Sequence, residues 1–116
     1  MDGYRAFRPE HMCYALAASN ATPGGATFIS AMGGGDQTLL MDGATLTGRA
    51  FLGFGMTSDA AVANAAVPVP GGNFTAALPL AAGTVQTFTF TGQGFFVAAR
   101  TAGGAGTIYL ALGDGV

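Results

Sequence analysis

Few residues in this sequence could do chemistry, and they match no familiar constellation. The single histidine, His11, and the single cysteine, Cys13, lie two positions apart, so on a strand their side chains would share a face. No third residue in a recognisable motif would orient them, and we expect no nucleophilic catalysis. One cysteine cannot form an internal disulfide, and burial as a small apolar side chain explains it more simply.

The aspartates point to turns rather than to a metal site. Asp36, Asp42, Asp59 and Asp114 each adjoin a glycine or a serine, where a carboxylate typically accepts a local backbone hydrogen bond. Their spacing matches no zinc or calcium pattern, and the glycine-rich stretches lead into no Walker-type helix. The sequence therefore predicts a protein that is not an enzyme and has no catalytic residue, metal or cofactor.

The composition is that of one domain with little charge. Half of the 116 residues are hydrophobic, only 9% are charged and none is lysine, whereas an average soluble domain is about 25% charged. A net charge of −2 gives little repulsion between copies, so we expect other chains to cover part of the surface. Four arginines without a basic stripe predict no nucleic-acid binding. Prolines and glycines interrupt the uncharged stretch 60–99, which predicts no membrane helix.

The last third of the chain organises the rest. Residues 85–90 alternate, with Phe88 and Phe90 on one face, and residues 95–100 and 108–112 alternate in the same way, which is the period of a strand. Glycine-rich turns separate the three segments and leave no room for crossover helices. We predict three antiparallel strands that form a β-meander.

Shorter strands are predicted upstream. Candidate segments are residues 12–18 (preferred as a strand over a helix from Pro9), 27–32, 37–41, 45–47, 49–56 and 73–78, with a turn at 79–83. Asp42-Gly43 favours a tight hairpin between the third and fourth of these segments. Gly53 and Gly55 leave room for a bulge or for another backbone to approach closely. For residues 60–69 the sequence leaves a weak strand and a loop equally open.

Eight or so short strands at regular turn spacing predict an all-β protein. We expect a single-domain antiparallel β-sandwich, jelly-roll-like or Greek key, over residues 11–116, preceded by an N-terminal arm of residues 1–10. The arm contains Tyr4, Arg5, Phe7 and Arg8, and aromatic and arginine side chains commonly anchor interfaces. We predict these four residues as a partner interface; the alternative is a frayed terminus.

Two stretches of the sequence carry a resemblance to a known family. The chain ends in FFVAARTAGGAGTIYLALGDGV (residues 95–116), preceded by PLAAG (79–83), and RAFLGFG (49–55) is followed by PVPGG (68–72). These glycine turns and strand hydrophobics resemble small β-sandwich structural proteins of tailed bacteriophages, the head decoration or cement proteins. The resemblance covers residues 49–116 and transfers no catalytic residue.

The resemblance implies a place on the virion. A protein of this kind is made in the host cytoplasm and binds, commonly as a homotrimer, between major capsid proteins on the capsid surface, where it stabilises the head. The alternatives are a component of the neck, tail or fibre, or a β-sandwich module that binds carbohydrate or another ligand.

Overall fold

The computed structural model describes residues 8–9, 14–30, 36–72, 76–91 and 94–114. They form nine strands and one helix in the order β1 (Arg8–Pro9), β2 (Tyr14–Ala18), β3 (Thr27–Ile29), β4 (Asp36–Asp42), β5 (Ala50–Gly55), α1 (Ser58–Asn64), β6 (Leu78–Leu80), β7 (Val85–Thr91), β8 (Phe95–Thr101) and β9 (Gly106–Asp114).

The strands pair as one long antiparallel ribbon folded upon itself. β2 pairs with β9, β3 with β8, β4 with β7 and β5 with β6. Two further antiparallel pairings, β4 with β9 and β5 with β8, join this ribbon into two sheets. Sheet A has the order β2-β9-β4-β7, with β1 beside the far end of β9, and sheet B has the order β3-β8-β5-β6. This nested pairing defines a jelly roll, so the predicted β-sandwich is confirmed.

The core lies between the two sheets, on the inward rows that the alternation predicts. Its largest members have no solvent exposure and are Ile29, Leu39, Met41, Leu52, Leu80, Val97, Ile108, Leu110 and Leu112. At one end a phenylalanine cluster continues the core: Phe54 stacks on Phe88 at 5.0 Å, and Phe90 meets Phe95 edge-on at 4.8 Å between ring centroids. The preference for a strand over a helix near the N-terminus is also confirmed, since β2 is a strand.

Helix α1 lies on the outer face of sheet B. It includes the first part of residues 60–69, for which the sequence left a weak strand and a loop equally open. It begins after Thr57, whose hydroxyl accepts a hydrogen bond from the Ala60 N–H at 3.1 Å. A Cβ added to Gly53 would lie 2.2 Å from the Ala65 nitrogen and 2.3 Å from the Ala61 oxygen. The glycines of β5 therefore admit the close backbone approach that the sequence predicts, and the approaching backbone is that of α1.

The predicted meander is wrong. β7 and β9 belong to sheet A and β8 to sheet B, so consecutive strands cross the sandwich instead of pairing. β7 and β8 lie face to face, and Phe90 and Phe95 both point inward and meet across the core. Alternation along a strand identifies the inward side chains, but it does not identify the sheet.

The hairpin predicted at Asp42-Gly43 is wrong as well. β4 pairs with β7 and β9, and the residues after Asp42 form a loop. In this loop the Thr45 hydroxyl donates to the Thr107 carbonyl at 2.8 Å and accepts from the Thr107 N–H at 3.1 Å, and Thr47 makes the same two bonds with Ala105. Threonine hydroxyls here occupy the place that a strand backbone would take.

The strand predicted at 73–78 and its turn at 79–83 also need correction. The observed strand β6 is Leu78–Leu80 and contains Pro79, while residues 73–75 lie outside the described residues. Proline fits there because β6 is an edge strand, where a missing N–H leaves no ladder partner unsatisfied.

Candidate interaction surface

Of the four predicted interface residues, only Arg8 belongs to the part of the chain that the structure describes. Tyr4, Arg5 and Phe7 lie outside the described residues, as do His11 and Cys13. Arg8 belongs to β1, and its backbone is paired with Asp114 of β9. The one described residue of this set is therefore at the margin of sheet A.

The outer face of sheet A presents the outward rows of four strands. Side chains alternate along a strand, and the inward rows of sheet A hold core residues such as Leu39 and Leu110. The remaining positions form the outer face, and those with described side chains are Ala15, Ala17, Thr38, Leu40, Asp42, Val85, Thr87, Thr89, Thr107, Tyr109, Ala111 and Gly113.

Register aligns these residues in rows across the sheet. Tyr109 lies opposite Ala15 on one side and Asp42 on the other, and Asp42 lies opposite Val85. In the next row, Leu40 lies between Ala111 and Thr87. Opposed side chains on one face of an antiparallel sheet are about 5 Å apart at Cβ, so each row is a continuous strip of contact surface.

One aliphatic and one aromatic side chain of this face are exposed to solvent. Val85 is 55% exposed and Tyr109 is 43% exposed, and Ala15, Ala17, Thr87 and Thr89 are exposed around them. Thr38 is only 3% exposed, so the accessible part of the face lies towards the rows that contain Tyr109 and Leu40.

The described side chains of the outer face of sheet A carry little charge. Among its described side chains Asp42 is the only ionisable one besides the phenol of Tyr109, and its Oδ1 accepts a hydrogen bond from the Ala44 N–H at 2.9 Å. That local bond explains the carboxylate as part of the loop that follows β4. Threonine, alanine, leucine, valine and tyrosine side chains make up the rest.

Sheet B differs because helix α1 covers part of its outer face. Ala61 of α1 and the C-cap residue Ala65 pack on Ala98 of β8, and all three side chains are buried. Beside the helix, Phe28 and Phe96 pack at 5.1 Å between ring centroids, and Phe28 remains 49% exposed. Among the described elements, the helix packs on β5 and β8 of sheet B and not on the outer face of sheet A.

A shallow depression of about 370 Å³ lies beside β2, between that strand and the loop of residues 19–25. Its polar side chains are the hydroxyls of Ser19, Thr22 and Thr27, and the rest of its lining is alanine, leucine, proline and glycine. A small-molecule site usually combines an apolar cleft with several convergent polar groups. Three hydroxyls are few polar groups for such a site.

The described part of the chain contains neither a metal-ligand cluster nor a membrane-spanning helix. No group of three or more His, Cys, Asp or Glu side chains lies there in an arrangement suited to a metal ion. Nor does that part contain a helix of the length and apolarity needed to cross a membrane.

Comparison of the chain with protein-family models, with curated proteins and with solved structures gives no match. The likeness to phage decoration proteins therefore remains a prediction from the sequence.

The sequence contains the signal for the outer face of sheet A in the residues that alternate with the inward rows. Once residues 85–91 and 106–114 are strands, their outward positions follow from the alternation, and those positions lack charge. The pairing that places β7 and β9 on either side of β4 required the structure.

Proposed function

We propose that this chain is a non-enzymatic structural protein of a tailed bacteriophage virion, a capsid decoration or cement protein that binds between major capsid proteins. In this proposal the outer face of sheet A is the surface that contacts the capsid. The observation that carries it is the breadth and neutrality of that face, together with the family resemblance of residues 49–116.

An uncharged face of this kind is a poor solvent-exposed surface but a good protein contact. The centres of protein interfaces are depleted in charged residues and enriched in tyrosine, and Tyr109 stands near the middle of the face with 43% of its surface exposed. Jelly rolls occur widely in viral capsids and also in lectins, which supports the proposal by analogy only.

The size of the face limits the contact area that it can contribute to an interface. Four strands at about 4.8 Å spacing and seven residues at about 3.4 Å each give roughly 19 by 24 Å, or at most about 450 Å² of projected area, and the accessible part is smaller because Thr38 is buried. A stable interface buries about 800 Å² per partner. We propose that the arm residues Tyr4, Arg5 and Phe7 supply the remaining contact, because the strand that follows them in sequence, β1, pairs with β9 of sheet A.

The proposed mechanism is the addition of contact area across the joint between neighbouring capsid proteins. Each copy stabilises its joint only modestly, but the effect is repeated at every equivalent joint of the shell. The three-fold symmetry that the resemblance implies is left out of the proposal, because no feature of the described residues favours three copies over two.

The test is co-sedimentation with shells assembled from the major capsid protein encoded in the same genome. We expect the wild-type chain to sediment with the shells at a saturable ratio and to raise their temperature of disassembly. Tyr109→Arg should weaken binding at least tenfold, because burying an unpaired guanidinium in the contact costs more than about 1.4 kcal/mol.

The matched control is Val69→Arg, which places the same charge at a loop residue that is 68% exposed and follows helix α1. It should bind like the wild type. A wild-type chain that stays in the supernatant contradicts the capsid proposal, and binding to isolated necks, tails or fibres would transfer the protein to that part of the virion. Unchanged binding by Tyr109→Arg contradicts the choice of the outer face of sheet A.

A further inference from the structure

The four outer edges of the two sheets are not protected equally. An open edge strand exposes unpaired backbone groups to other chains, and proteins usually shorten it, cover it, or place charge or proline in it. In sheet B, β3 and β6 have three residues each, and β6 contains Pro79. In sheet A, the loop of residues 19–25 lies beside the five-residue β2.

The fourth edge, β7, is longer and has neither charge nor proline in its seven residues, VQTFTFT. In the described part of the chain, β7 pairs with β4 and with no second strand. Val85, Gln86, Thr87 and Thr89 are all exposed, so, as far as the described residues show, a neutral strand edge faces solvent along one side of sheet A.

Apolar surface lies directly behind this edge. Phe88 and Phe90 point inward but are only partly buried, and their rings stack at 6.2 Å with an interplanar angle of 20°. They belong to the phenylalanine cluster that also contains Phe54 and Phe95. A strand added to β7 would cover these rings as well as the free backbone.

We propose that β7 pairs antiparallel with β7 of a second copy of this chain. The segment Thr87–Thr91 reads the same in both directions as Thr-Phe-Thr-Phe-Thr. In a register centred on Thr89, threonine lies opposite threonine and Phe88 lies opposite Phe90 of the other copy. Such matched pairs stabilise antiparallel strands, and the absence of charge means that no like charges are opposed.

The pairing has the two-fold symmetry of the commonest protein dimers. Its axis is perpendicular to the sheet, so the two outer faces of sheet A lie on the same side of one continuous sheet. The dimer goes beyond the proposed function, because it doubles the neutral surface whatever that surface binds. It also differs from the homotrimer that the family resemblance implies.

A single pair of seven-residue strands is at the small end of specific interfaces, so the dimer should dissociate on dilution. Sedimentation equilibrium from 1 to 200 µM tests this, and we expect the mass to rise from one copy to two over that range. Thr89→Lys opposes two ammonium groups at the axis and should raise the dissociation constant at least tenfold. The control, Thr22→Lys, places the same charge on an exposed loop and should dimerise like the wild type.

Cysteine cross-linking tests the register, in a Cys13→Ser background. Opposed residues of an antiparallel pair have Cα atoms about 4.5 to 5.5 Å apart, within the reach of a disulfide. Thr89→Cys should therefore form an intermolecular disulfide under mild oxidation. Thr87→Cys should not, because the two copies of residue 87 are about four residues, or about 14 Å, out of line.

Several outcomes would overturn the inference: a monomer at every concentration, a trimer, or a dimer that Thr89→Lys leaves unchanged. Cross-linking through residue 87 instead of residue 89 would overturn the proposed register. Shell binding is a separate readout, so a monomer that sediments with shells refutes the dimer alone, and a dimer that does not sediment refutes the capsid proposal alone.

Discussion

Substitution of Gly53 by alanine tests how α1 is held on sheet B. The added Cβ would lie 2.2 Å from the Ala65 nitrogen, 2.3 Å from the Ala61 oxygen and 2.5 Å from the Asn64 carbonyl carbon. All three are backbone atoms at the end of the helix, and Ala65 N–H also donates to the Ala61 carbonyl at 3.0 Å. Ordinary van der Waals contact begins near 3.4 Å, so the end of the helix must move outward by about 1 Å.

The expected cost follows from two opposing effects. Overpacking of a well-packed site typically costs about 1 to 3 kcal/mol, and more when backbone must move, so we take about 3.5 kcal/mol. Replacing glycine by alanine restricts the unfolded chain and returns about 0.4 to 1 kcal/mol. The net loss in the free energy of unfolding is therefore about 2.5 to 3 kcal/mol.

Thermal unfolding measures this loss directly. An unfolding entropy of about 2.1 cal/mol/K per residue gives about 0.24 kcal/mol/K for 116 residues, so Tm should fall by about 10 to 12 °C. The scan should be run at a concentration where the protein is monomeric, since association raises Tm. Gly103→Ala is the matched control, because nothing lies within 4 Å of its added Cβ. A Tm for Gly53→Ala within 2 °C of the wild type would refute the close approach of helix and strand.

Two further substitutions test the helix cap and the core. Thr57→Ala removes the hydroxyl that accepts a hydrogen bond from the Ala60 N–H and should lower the free energy of unfolding by about 1 kcal/mol, or Tm by about 4 °C. Thr57→Ser keeps a hydroxyl and should retain most of the wild-type stability. Equal loss of stability in both variants would contradict the cap. Leu110→Ala truncates a side chain with no solvent exposure and should lower the free energy of unfolding, measured by chemical denaturation, by about 3 kcal/mol. The control Val69→Ala, at a position that is 68% exposed, should lower it by less than about 0.5 kcal/mol. Similar costs for these two variants would contradict the assigned core.

The sequence predicted the inward side of the strands well. Alternation at Phe88 and Phe90, and again at Ile108 and Leu110, reports burial at each position whatever strand lies alongside. The glycines of β5 were equally informative, because a glycine inside a strand often marks a bulge or a close approach of another backbone. These features are local, and local features can be derived from one chain.

The partition of strands between sheets could not be derived in the same way. A short glycine turn can connect two strands that pair side by side in one sheet, or two strands that face each other in different sheets. Contacts between distant side chains, such as Phe90 with Phe95, decide between these arrangements. Helix α1 differs from the weak strand or loop that was predicted for residues 60–69. Thr57 and Asp59 provide a start signal and alanine favours helices, but a helix of seven residues is too short to show a clear helical period in the sequence.

The proposed capsid role can be tested by electron microscopy of virions or heads from a phage in whose genome this sequence is found. Under that proposal we expect jelly-roll density on the capsid surface at the joints between major capsid proteins, with the outer face of sheet A and Tyr109 against the shell and α1 towards solvent. Density in which the outer face of sheet A points to solvent, or heads that lack this chain, would contradict it.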